Sequence, residues 1–371
     1  MQAYFVGVVP PPVTGMTSVT KAVLERLETG LPIRRHAVSR PGWASNRVWS
    51  VYKHVALLRQ CVSAALRMGR GDVVYCAMNA DIGLYGDWAI ASAARLRGAR
   101  LIVHHHSFSY ITDPDARVAR FLRIAGPNVV HVMLCHGMRR RFSERYGPVQ
   151  AIIVGNDAWT KAAIPVADTP RGTLRTVGFL SNITREKGID TALACFRALS
   201  AAGRDLNFVI AGPAASAEIK RELDAFVAED PGRRRLAGPV YGAAKTSFFE
   251  EIDALVFPTR YRVEADPLVV HESVSRGVPV LATPRGCLPE RIGVAEHIGP
   301  DDPSFADWAA QKLAAWHTDP DAYRQASAEV LRHISDRDRE AERECQAFLD
   351  LFRPDALGAE RLPLAAPKSP G

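Results

Sequence analysis

Short runs of apolar, often β-branched residues recur along this chain with helical patterns between them, and this alternation constrains the fold more than any other feature. The runs cover residues 4–9, 73–76, 101–103, 130–134 and 151–154, and then residues 176–180, 207–210, 254–257 and 278–282. Alternating strands and helices are typical of parallel sheets covered by helices. We therefore predict an α/β fold.

A polar stretch with prolines, from about residue 158 to 171, interrupts the alternation, which then restarts. A chain of 371 residues is also too long for one ordinary core. We predict two tandem Rossmann-like domains, over residues 1–165 and 170–335, with the ligand site in a cleft between them. Residues 336–353 carry a charged helical pattern that is predicted to pack back on the first domain, and residues 354–371 are predicted to be a flexible tail.

Basic residues are concentrated in the first part of the chain. Residues 1–165 hold 21 Lys and Arg against 9 Asp and Glu, whereas the remainder holds 26 against 31. A basic half is typical of proteins that face phosphates, on an anionic lipid surface or on a pyrophosphate-bearing substrate. Between Arg34 and Lys53 basic residues are mixed with tryptophans, as on membrane-surface helices, although residues 46–69 also fit an ordinary helix that covers a sheet.

Several common functions have no signal in the sequence. There is no Gly-x-Gly-x-x-Gly motif, no Walker lysine loop and no Cys-x-x-Cys among the six cysteines. No aromatic platform or known module indicates binding to nucleic acid. No run approaches the roughly 20 apolar residues of a membrane span, and the N-terminus lacks the charged start of a signal peptide. We expect a cytoplasmic protein.

Two glutamates, Glu264 and Glu272, stand eight positions apart between two strand-like runs. If the residues between them were helical, a rise of about 1.5 Å per residue would separate them by roughly 12 Å. The two carboxylates of a retaining hydrolase lie only about 5 to 5.5 Å apart. The spacing therefore favours two contacts with one extended ligand over an acid/base pair that flanks a single bond.

A second candidate segment follows the strand-like run 176–180. Here a polar loop that contains Arg185 and Lys187 leads through Gly188 into a helix. Cations near the start of a helix can bind an anion. Taken alone, these residues fit an ordinary solvated loop ahead of a helix better. Their occurrence about 75 residues before the paired glutamates favours a shared site.

Together these segments resemble the nucleotide-sugar domain of GT-B glycosyltransferases, specifically the retaining group called family 4. The resemblance covers about residues 176–290 and includes residues 206–212 and 238–241, Lys245 and residues 253–259. It implies two Rossmann-like domains of the GT-B type and a hexosyltransferase. Such an enzyme moves a sugar from a nucleoside diphosphate, UDP- or GDP-linked, to a saccharide or lipid-linked acceptor in polysaccharide or glycolipid biosynthesis.

The resemblance also implies roles for individual residues. Glu264 would contact hydroxyls of the transferred sugar, Glu272 the ribose of the nucleotide, and Lys187 the diphosphate. The backbone N–H groups of Leu268 and Val269, at the start of a helix, would complete the phosphate cradle.

Two positions depart from the family pattern. Asn182 lies in the segment where family members usually carry an arginine, so that Arg185 would supply the charge for the donor. Pro267 replaces a glycine of the family, which fits the first turn of a helix but removes one N–H donor.

The first domain contributes two further candidate segments. The loop 10–17 after the first strand resembles a glycine-containing loop of the family beside the diphosphate and the acceptor, which points to Gly15 and Thr17; a plain strand-to-helix turn fits equally well. At the end of the run 101–103, alternation predicts that His104 and His106 point one way and His105 the other. The family has a histidine here near the transferred sugar, which favours His106, with His104 as the alternative.

We expect no metal and no other cofactor. The three histidines lack an acidic or cysteine ligand at metal-binding spacing, and no Asp-x-Asp candidate lies near the nucleotide loop. Cations and a helix start would stabilise the departing diphosphate instead of a divalent ion. Two alternatives remain open, a catalytically silent nucleotide-sugar-binding protein and a GT-B-like epimerase or sugar-phosphate synthase. Through its basic half the protein is expected to contact an anionic membrane peripherally, at the inner face of the cytoplasmic membrane.

Overall fold

The chain divides into two compact units in a computed structural model that describes residues 1–160, 166–301 and 303–353. Unit 1 comprises Met1–Thr160 and Glu340–Gly371, and unit 2 comprises Lys161–Arg339. The first boundary falls in the polar stretch where the strand and helix alternation breaks. The predicted tail, residues 354–371, lies outside the described residues.

Unit 1 is built on a six-stranded parallel sheet of order β2-β1-β3-β4-β5-β6. The strands are β1 (Ala3–Val8), β2 (Ile33–Val38), β3 (Val73–Ala77), β4 (Arg100–His104), β5 (Val129–Met133) and β6 (Ala151–Ile153). The helices are α1 (Gly15–Glu28), α2 (Asn46–Arg67), α3 (Leu84–Arg97), α4 (Ser109–Thr112), α5 (Ala116–Ala125), α6 (His136–Tyr146) and α7 (Asp157–Thr160). Strands β3 and β5 are buried along their whole length, as expected of strands covered on both faces.

Unit 2 repeats this design with a five-stranded parallel sheet of order β11-β10-β7-β8-β9. The strands are β7 (Thr176–Leu180), β8 (Asn207–Ala211), β9 (Arg234–Gly238), β10 (Ala254–Phe257) and β11 (Val280–Ala282). The helices are α8 (Ile189–Ala201), α9 (Ala217–Glu229), α10 (Ala243–Glu251), α11 (Leu268–Val274), α12 (Leu288–Ile292), α13 (Phe305–Thr318) and α14 (Pro320–Asp350).

Alternate residues of the unit 2 strands belong to two separate apolar clusters. Phe208 and Ile210 of β8 pack in one cluster, and Val209 and Ala211 pack in the other. Because successive side chains of a strand point to opposite faces, the two clusters are the cores on the two sides of the sheet. The α/β prediction is thereby confirmed.

Two strands, β2 and β9, escaped the sequence pattern. Both lie at the edge of their sheet, and both carry adjacent arginines, Arg34–Arg35 and Arg234–Arg235. An edge strand tolerates the exposed Arg34, Arg35 and Arg235 because one of its sides faces solvent. Arg234 is buried and pairs with Glu229. Arg34 and Arg35 therefore belong to a strand, rather than to the helix pattern in which the sequence groups them.

Helix α14 corrects the prediction of a separate helix over residues 336–353. It runs without a break from Pro320 to Asp350, for 31 residues. The Asp319 carboxylate accepts hydrogen bonds from the backbone N–H groups of Asp321 and Ala322, and proline is favoured at a first helical position. No glycine or further proline follows before Pro354, so no residue ends the helix earlier.

None of the helices in the described ranges is long and apolar enough to cross a membrane.

Candidate functional site

The loops that follow β7 and β10 meet at one edge of the unit 2 sheet, because these strands are neighbours. Lys187, from the loop after β7, donates from Nζ to Oε2 of Glu264, from the loop after β10, over 2.5 Å. The carboxylate of Glu264 is nearly buried, with 7% of the residue exposed. Charge-assisted hydrogen bonds of this kind are stronger than neutral ones. The structure thus brings together two of the predicted catalytic residues.

Gly188 fixes the approach of the two loops. It is the N-cap of α8 with φ +78°, and a Cβ atom there would overlap the carbonyl oxygen of Pro258. The backbone N–H of Arg260 donates to the carbonyl of Glu186 over 2.8 Å. Only glycine meets both the positive φ and the lack of space, which explains why it follows Lys187.

Further contacts orient the carboxylate of Glu264. The buried hydroxyl of Thr259 donates to Oε2 over 3.0 Å. The ring of Tyr261 lies 4.7 Å from Nζ of Lys187 and forms a cation–π contact, and burial, with Glu264 as a weaker cause, raises the pKa of its hydroxyl. Gly286 has φ +54°, and a side chain there would overlap the carbonyl oxygens of Glu264 and Ala265.

Glu272 forms a second lysine–carboxylate pair. It lies on α11, and Nζ of Lys245, from α10, lies 2.5 Å from its Oε2. Both side chains are mostly buried. Unit 2 therefore contains two carboxylates that can accept hydrogen bonds from ligand hydroxyls, each beside an ammonium that can meet a phosphate.

The structure corrects the geometry assumed for the paired glutamates. Helix α11 contains only Leu268–Val274, so Glu264 lies in the loop ahead of it and Glu272 within it. The estimate of separation from a continuous helical rise was therefore wrong. The two acids project from different kinds of backbone and pair with different lysines, which preserves the interpretation as two separate contacts.

The start of α11 lies where the sequence places it. Leu268 and Val269 are its first two residues, and Pro267 is its N-cap with φ −72°. Proline therefore stands just ahead of the helix. The preceding Asp266 is buried and accepts hydrogen bonds from His271 Nε2 over 2.8 Å and Arg291 Nε over 3.2 Å, which ties the loop to α11 and α12.

Arg185 and Asn182 lie at the surface of the loop after β7. The guanidinium of Arg185 is 2.7 Å from Glu222 and 3.4 Å from Glu218, both on α9. The hydrogen bond with Glu222 is the main cause that raises the pKa of Arg185. Arg185 thus points to acids of α9, whereas Lys187 pairs with Glu264, and its role toward a donor stays a prediction.

A groove opens at the carboxyl ends of β8 and β9. Its volume is about 640 Å³. Its walls are largely apolar and include Ile183 and Gly212, together with Pro239 and the side chain of Lys220 on α9. Ile183 belongs to the same loop as Lys187, so one loop contributes both to the groove and to the Lys187–Glu264 pair.

In unit 1 the two residues predicted after the first strand begin α1. Thr14 is the N-cap, and its side chain forms a capping box with that of Thr17. The Thr17 hydroxyl also donates to the carbonyl of Pro12 over 2.7 Å, so this side chain holds the turn together. Gly15 is exposed, and a Cβ atom there would meet nothing within 4 Å. Space in the protein therefore does not require this glycine.

The three histidines alternate as predicted. The rings of His104 and His106 are in tilted contact with centroids 4.0 Å apart, whereas His105 bonds through Nε2 to His131 of β5 and through Nδ1 to Tyr110. Nδ1 of His104 lies 2.9 Å from the Tyr75 hydroxyl. Burial holds the pKa values of His104 and His105 well below their usual range. His104 and His105 are therefore neutral and structural in character. His106, beyond the end of β4, is more accessible than His104.

Sequence reasoning assigned no role to Thr259, Gly286 or Lys245. Thr259 follows β10 by two residues and Gly286 follows β11 by four, positions that resemble ordinary strand ends. Lys245 is part of the family resemblance but lies 27 residues from its partner Glu272. A preference for polar residues at the carboxyl ends of neighbouring strands could have singled out Thr259.

Comparison with known families identifies one match. Residues 174–315 match the family model described as glycosyl transferases group 1. This stretch contains the whole unit 2 sheet and both lysine–carboxylate pairs. No curated protein gives a sequence match to the chain.

Solved structures match the fold over both units. HepE of Anabaena in complex with UDP has a TM-score of 0.67 at 13% identity, covering 94% of this chain and all of HepE. Sucrose-phosphate synthase from Thermosynechococcus elongatus has a TM-score of 0.67 at 14% identity, covering 95% and 99%. TarM of S. aureus, in a complex that contains UDP, has a TM-score of 0.61 at 14% identity. That match covers 80% of this chain but only 59% of TarM.

Proposed function

We propose that this chain, which has the GT-B glycosyltransferase fold and a group 1 glycosyltransferase match in unit 2, is a retaining hexosyltransferase of family 4. It would move a sugar from a nucleoside diphosphate to a saccharide or lipid-linked acceptor. The observation that carries the proposal is the presence of two lysine–carboxylate pairs, Lys187–Glu264 and Lys245–Glu272, within the matched stretch.

The first pair suits the sugar and the diphosphate. Glu264 can accept hydrogen bonds from sugar hydroxyls, and its burial strengthens them because little water competes. Thr259 holds one of its oxygens, which leaves the other for the ligand. Lys187 can exchange its contact with Glu264 for one with a phosphate oxygen, since a diphosphate carries more negative charge than one carboxylate.

The second pair suits the nucleoside. Glu272 can accept hydrogen bonds from the ribose hydroxyls, with Lys245 holding its carboxylate in place. The largely apolar groove after β8 and β9 is large enough for a base. Complexes of HepE and TarM contain UDP, which favours a UDP-linked over a GDP-linked donor.

In the reaction the bond between the sugar and the diphosphate breaks, and negative charge develops on the departing phosphate oxygen. Lys187 and the N–H groups of Leu268 and Val269 would stabilise that charge without a divalent ion. The acceptor hydroxyl forms the new bond to the same sugar carbon, and its proton passes to the departing phosphate oxygen. In unit 1, His106 would contact the transferred sugar, and Gly15 and Thr17 would contact the diphosphate or the acceptor.

The kind of acceptor and the location in the cell are inferred from the basic charge of residues 1–165. The excess of basic residues within residues 1–165 fits a lipid-linked acceptor in polysaccharide or glycolipid assembly. Such an enzyme would be cytoplasmic and peripheral at the inner face of the membrane.

Transfer by the full chain tests the proposal. UDP- and GDP-sugars are supplied with saccharide, lipid-linked and sugar-phosphate acceptors, in the presence of a chelator, and the product anomer is assigned by NMR. We expect transfer with retention, and loss of at least about a hundredfold in Glu264→Ala, because the carboxylate contacts the reacting sugar. Glu250→Ala, an exposed acid on α10, should keep its rate.

Other results of this experiment would identify the alternatives. Transfer to sugar phosphates alone would indicate a sugar-phosphate synthase. Donor binding without hydrolysis or transfer would indicate a silent binding protein. Inversion of configuration, or complete loss of rate with the chelator, would contradict the retaining, metal-independent mechanism.

A further inference from the structure

Helix α2 is apolar on two opposite sides. One side is buried against unit 1 through Leu57, Cys61 and Ala64. At about 100° per residue the opposite side carries a second apolar row. We call this row the outer stripe; its members are Val48, Val51, Val55, Leu58, Val62 and Leu66. A helix that only covers a sheet has a polar outer side.

The outer stripe is exposed along the length of the helix. Val51 is 67% exposed, Val55 66% and Leu66 76%. The helix has 22 residues and is therefore roughly 33 Å long. An apolar row of this extent is larger than scattered surface residues produce and marks an interaction surface.

An aromatic cluster adjoins the first turns of the stripe. The ring of Tyr52 lies 5.8 Å from that of Trp43 and 6.2 Å from that of Trp49, measured between centroids. Trp43 is 72% exposed. Tryptophan and tyrosine favour the boundary between water and lipid, because their rings are apolar and their N–H or O–H groups need a polar partner.

The charge of the segment that contains α2 indicates what kind of partner fits the outer stripe. Residues 29–71 contain eight Lys and Arg and no Asp or Glu. Four of them lie on α2, and none of these forms an ion pair within the part of the chain that the structure describes: Arg47, Lys53, Arg59 and Arg67. Docking of a second copy of the chain through the same face would bring the same cations together, and like charges repel. An anionic surface is complementary to it.

A groove beside the stripe adds a place for a headgroup. It lies between the end of β2 and α2, with a volume of about 430 Å³. Tyr52, Val55 and Arg59 line it, together with Ser39 and Pro41. Walls of mixed apolar and polar side chains, with an exposed guanidinium, suit the phosphate of a lipid next to its chains.

We propose that the outer stripe and the aromatic cluster lie flat on an anionic lipid bilayer, with Arg59 at a lipid phosphate. Helix α2 would rest in the interface, its opposite side remaining packed on the sheet. The inference deepens the proposed function, since a protein held on the bilayer meets a lipid-linked acceptor directly. The docking itself needs no catalysis, so it can be tested apart from transfer.

Co-sedimentation of the full chain with vesicles tests the inference. One set contains phosphatidylcholine with about one third phosphatidylglycerol, and the other phosphatidylcholine alone. We expect binding to the anionic set only. The variant with Val51→Ser, Leu58→Ser and Val62→Ser, and the variant with Arg47→Glu and Arg59→Glu, should each bind at least about tenfold more weakly. All five side chains are exposed, so thermal unfolding should be unchanged.

A charge-matched control separates docking from net charge. Arg140→Glu with Arg141→Glu, exposed on α6, changes the net charge equally and should leave binding within about twofold. Equal binding by the serine variant and the unaltered chain would overturn the proposal. So would a dimer in solution that the serine variant abolishes, because the occupant would then be a second copy. Transfer to a soluble acceptor should be unchanged in the serine variant, so failure of docking and failure of the proposed activity are distinguishable.

Discussion

The carboxylate of Glu264 depends on residues that lie far from it in the chain. Lys187 donates to it from 77 positions away, and Gly286 leaves room for its backbone. The hydroxyl of Thr259 is closer in sequence but approaches only because the loop after β10 turns back on itself. A carboxylate held in this way has one orientation before any ligand arrives, which lowers the cost of binding.

The substitution Gly15→Ala tests whether Gly15 contacts a ligand or is needed only for folding. Nothing lies within 4 Å of the added methyl group, and alanine favours a helix by up to about 1 kcal/mol over glycine. We expect thermal stability to be unchanged or raised, and kcat/KM for the donor to fall at least about tenfold, because the methyl group would occupy space that the ligand needs. Gly86→Ala on α3, also open within 4 Å, is the matched control. An unchanged kcat/KM would show that Gly15 touches no ligand.

At this scale the sequence predicted the residue types but not their partners. Lys187, Glu264 and Glu272 stood out because their spacing resembles a known pattern. The Lys245–Glu272 pair depends on how α10 and α11 pack, which no local pattern reveals. Arg185 is predicted to supply charge for the donor, but the sequence does not indicate that it pairs with acids of α9, more than 30 residues away.

Strands β4 and β5 bring three buried histidines together. Burial depresses the pKa of His104 and His105 well below the usual range, and that of His131 to about 3. The unfolded chain takes up these protons below about pH 6.5, whereas the folded unit does not. Their stabilisation is therefore present above that pH and is lost as the pH falls toward the folded values.

Acid should therefore weaken unit 1 around these strands. Each proton that only the unfolded chain binds lowers the free energy of unfolding by on the order of 1.4 kcal/mol per pH unit. Burial raises the pKa of Asp87 to about 7, so Asp87 opposes this trend, but it contributes one proton against the three of the histidines. We expect hydrogen exchange of peptides from β4 and β5 to accelerate between pH 7 and pH 5, after correction for the intrinsic rate. Constant protection would mean that the histidines are protonated in the folded unit.

Strands with a continuous apolar run were predicted, and the two strands whose pattern is mixed were not. Strands β7 and β10 have the predicted bounds, because each is apolar and buried throughout. Edge strands β2 and β9 carry arginines and were missed. The outer stripe of α2 is apolar in sequence, but only the structure shows that the opposite side of the helix already fills the core.

The two units of the chain carry different chemical features. Unit 2 holds the family match and both lysine–carboxylate pairs, and unit 1 holds the basic segment and the outer stripe. The break in the sequence pattern predicts the first boundary well, since a polar stretch with prolines cannot continue a strand or helix. The segment 336–353 is predicted to pack back on the first domain, and residues from Glu340 on do belong to unit 1. The sequence does not reveal that this segment continues a helix that begins in unit 2, because a continuous helical pattern contains no boundary signal.

The central claim is that the two lysine–carboxylate pairs of unit 2 bind a nucleoside diphosphate, and calorimetric titration of the full chain with UDP in a chelator tests it most directly. We expect binding by the unaltered chain and a Kd at least about tenfold higher in Lys187→Met, a loss of roughly 1.4 kcal/mol. Lys312→Met removes a comparable lysine paired with Glu296 and should leave the Kd unchanged. Equal affinity in Lys187→Met and the unaltered chain, or no binding of UDP or GDP by the folded protein, would contradict the claim.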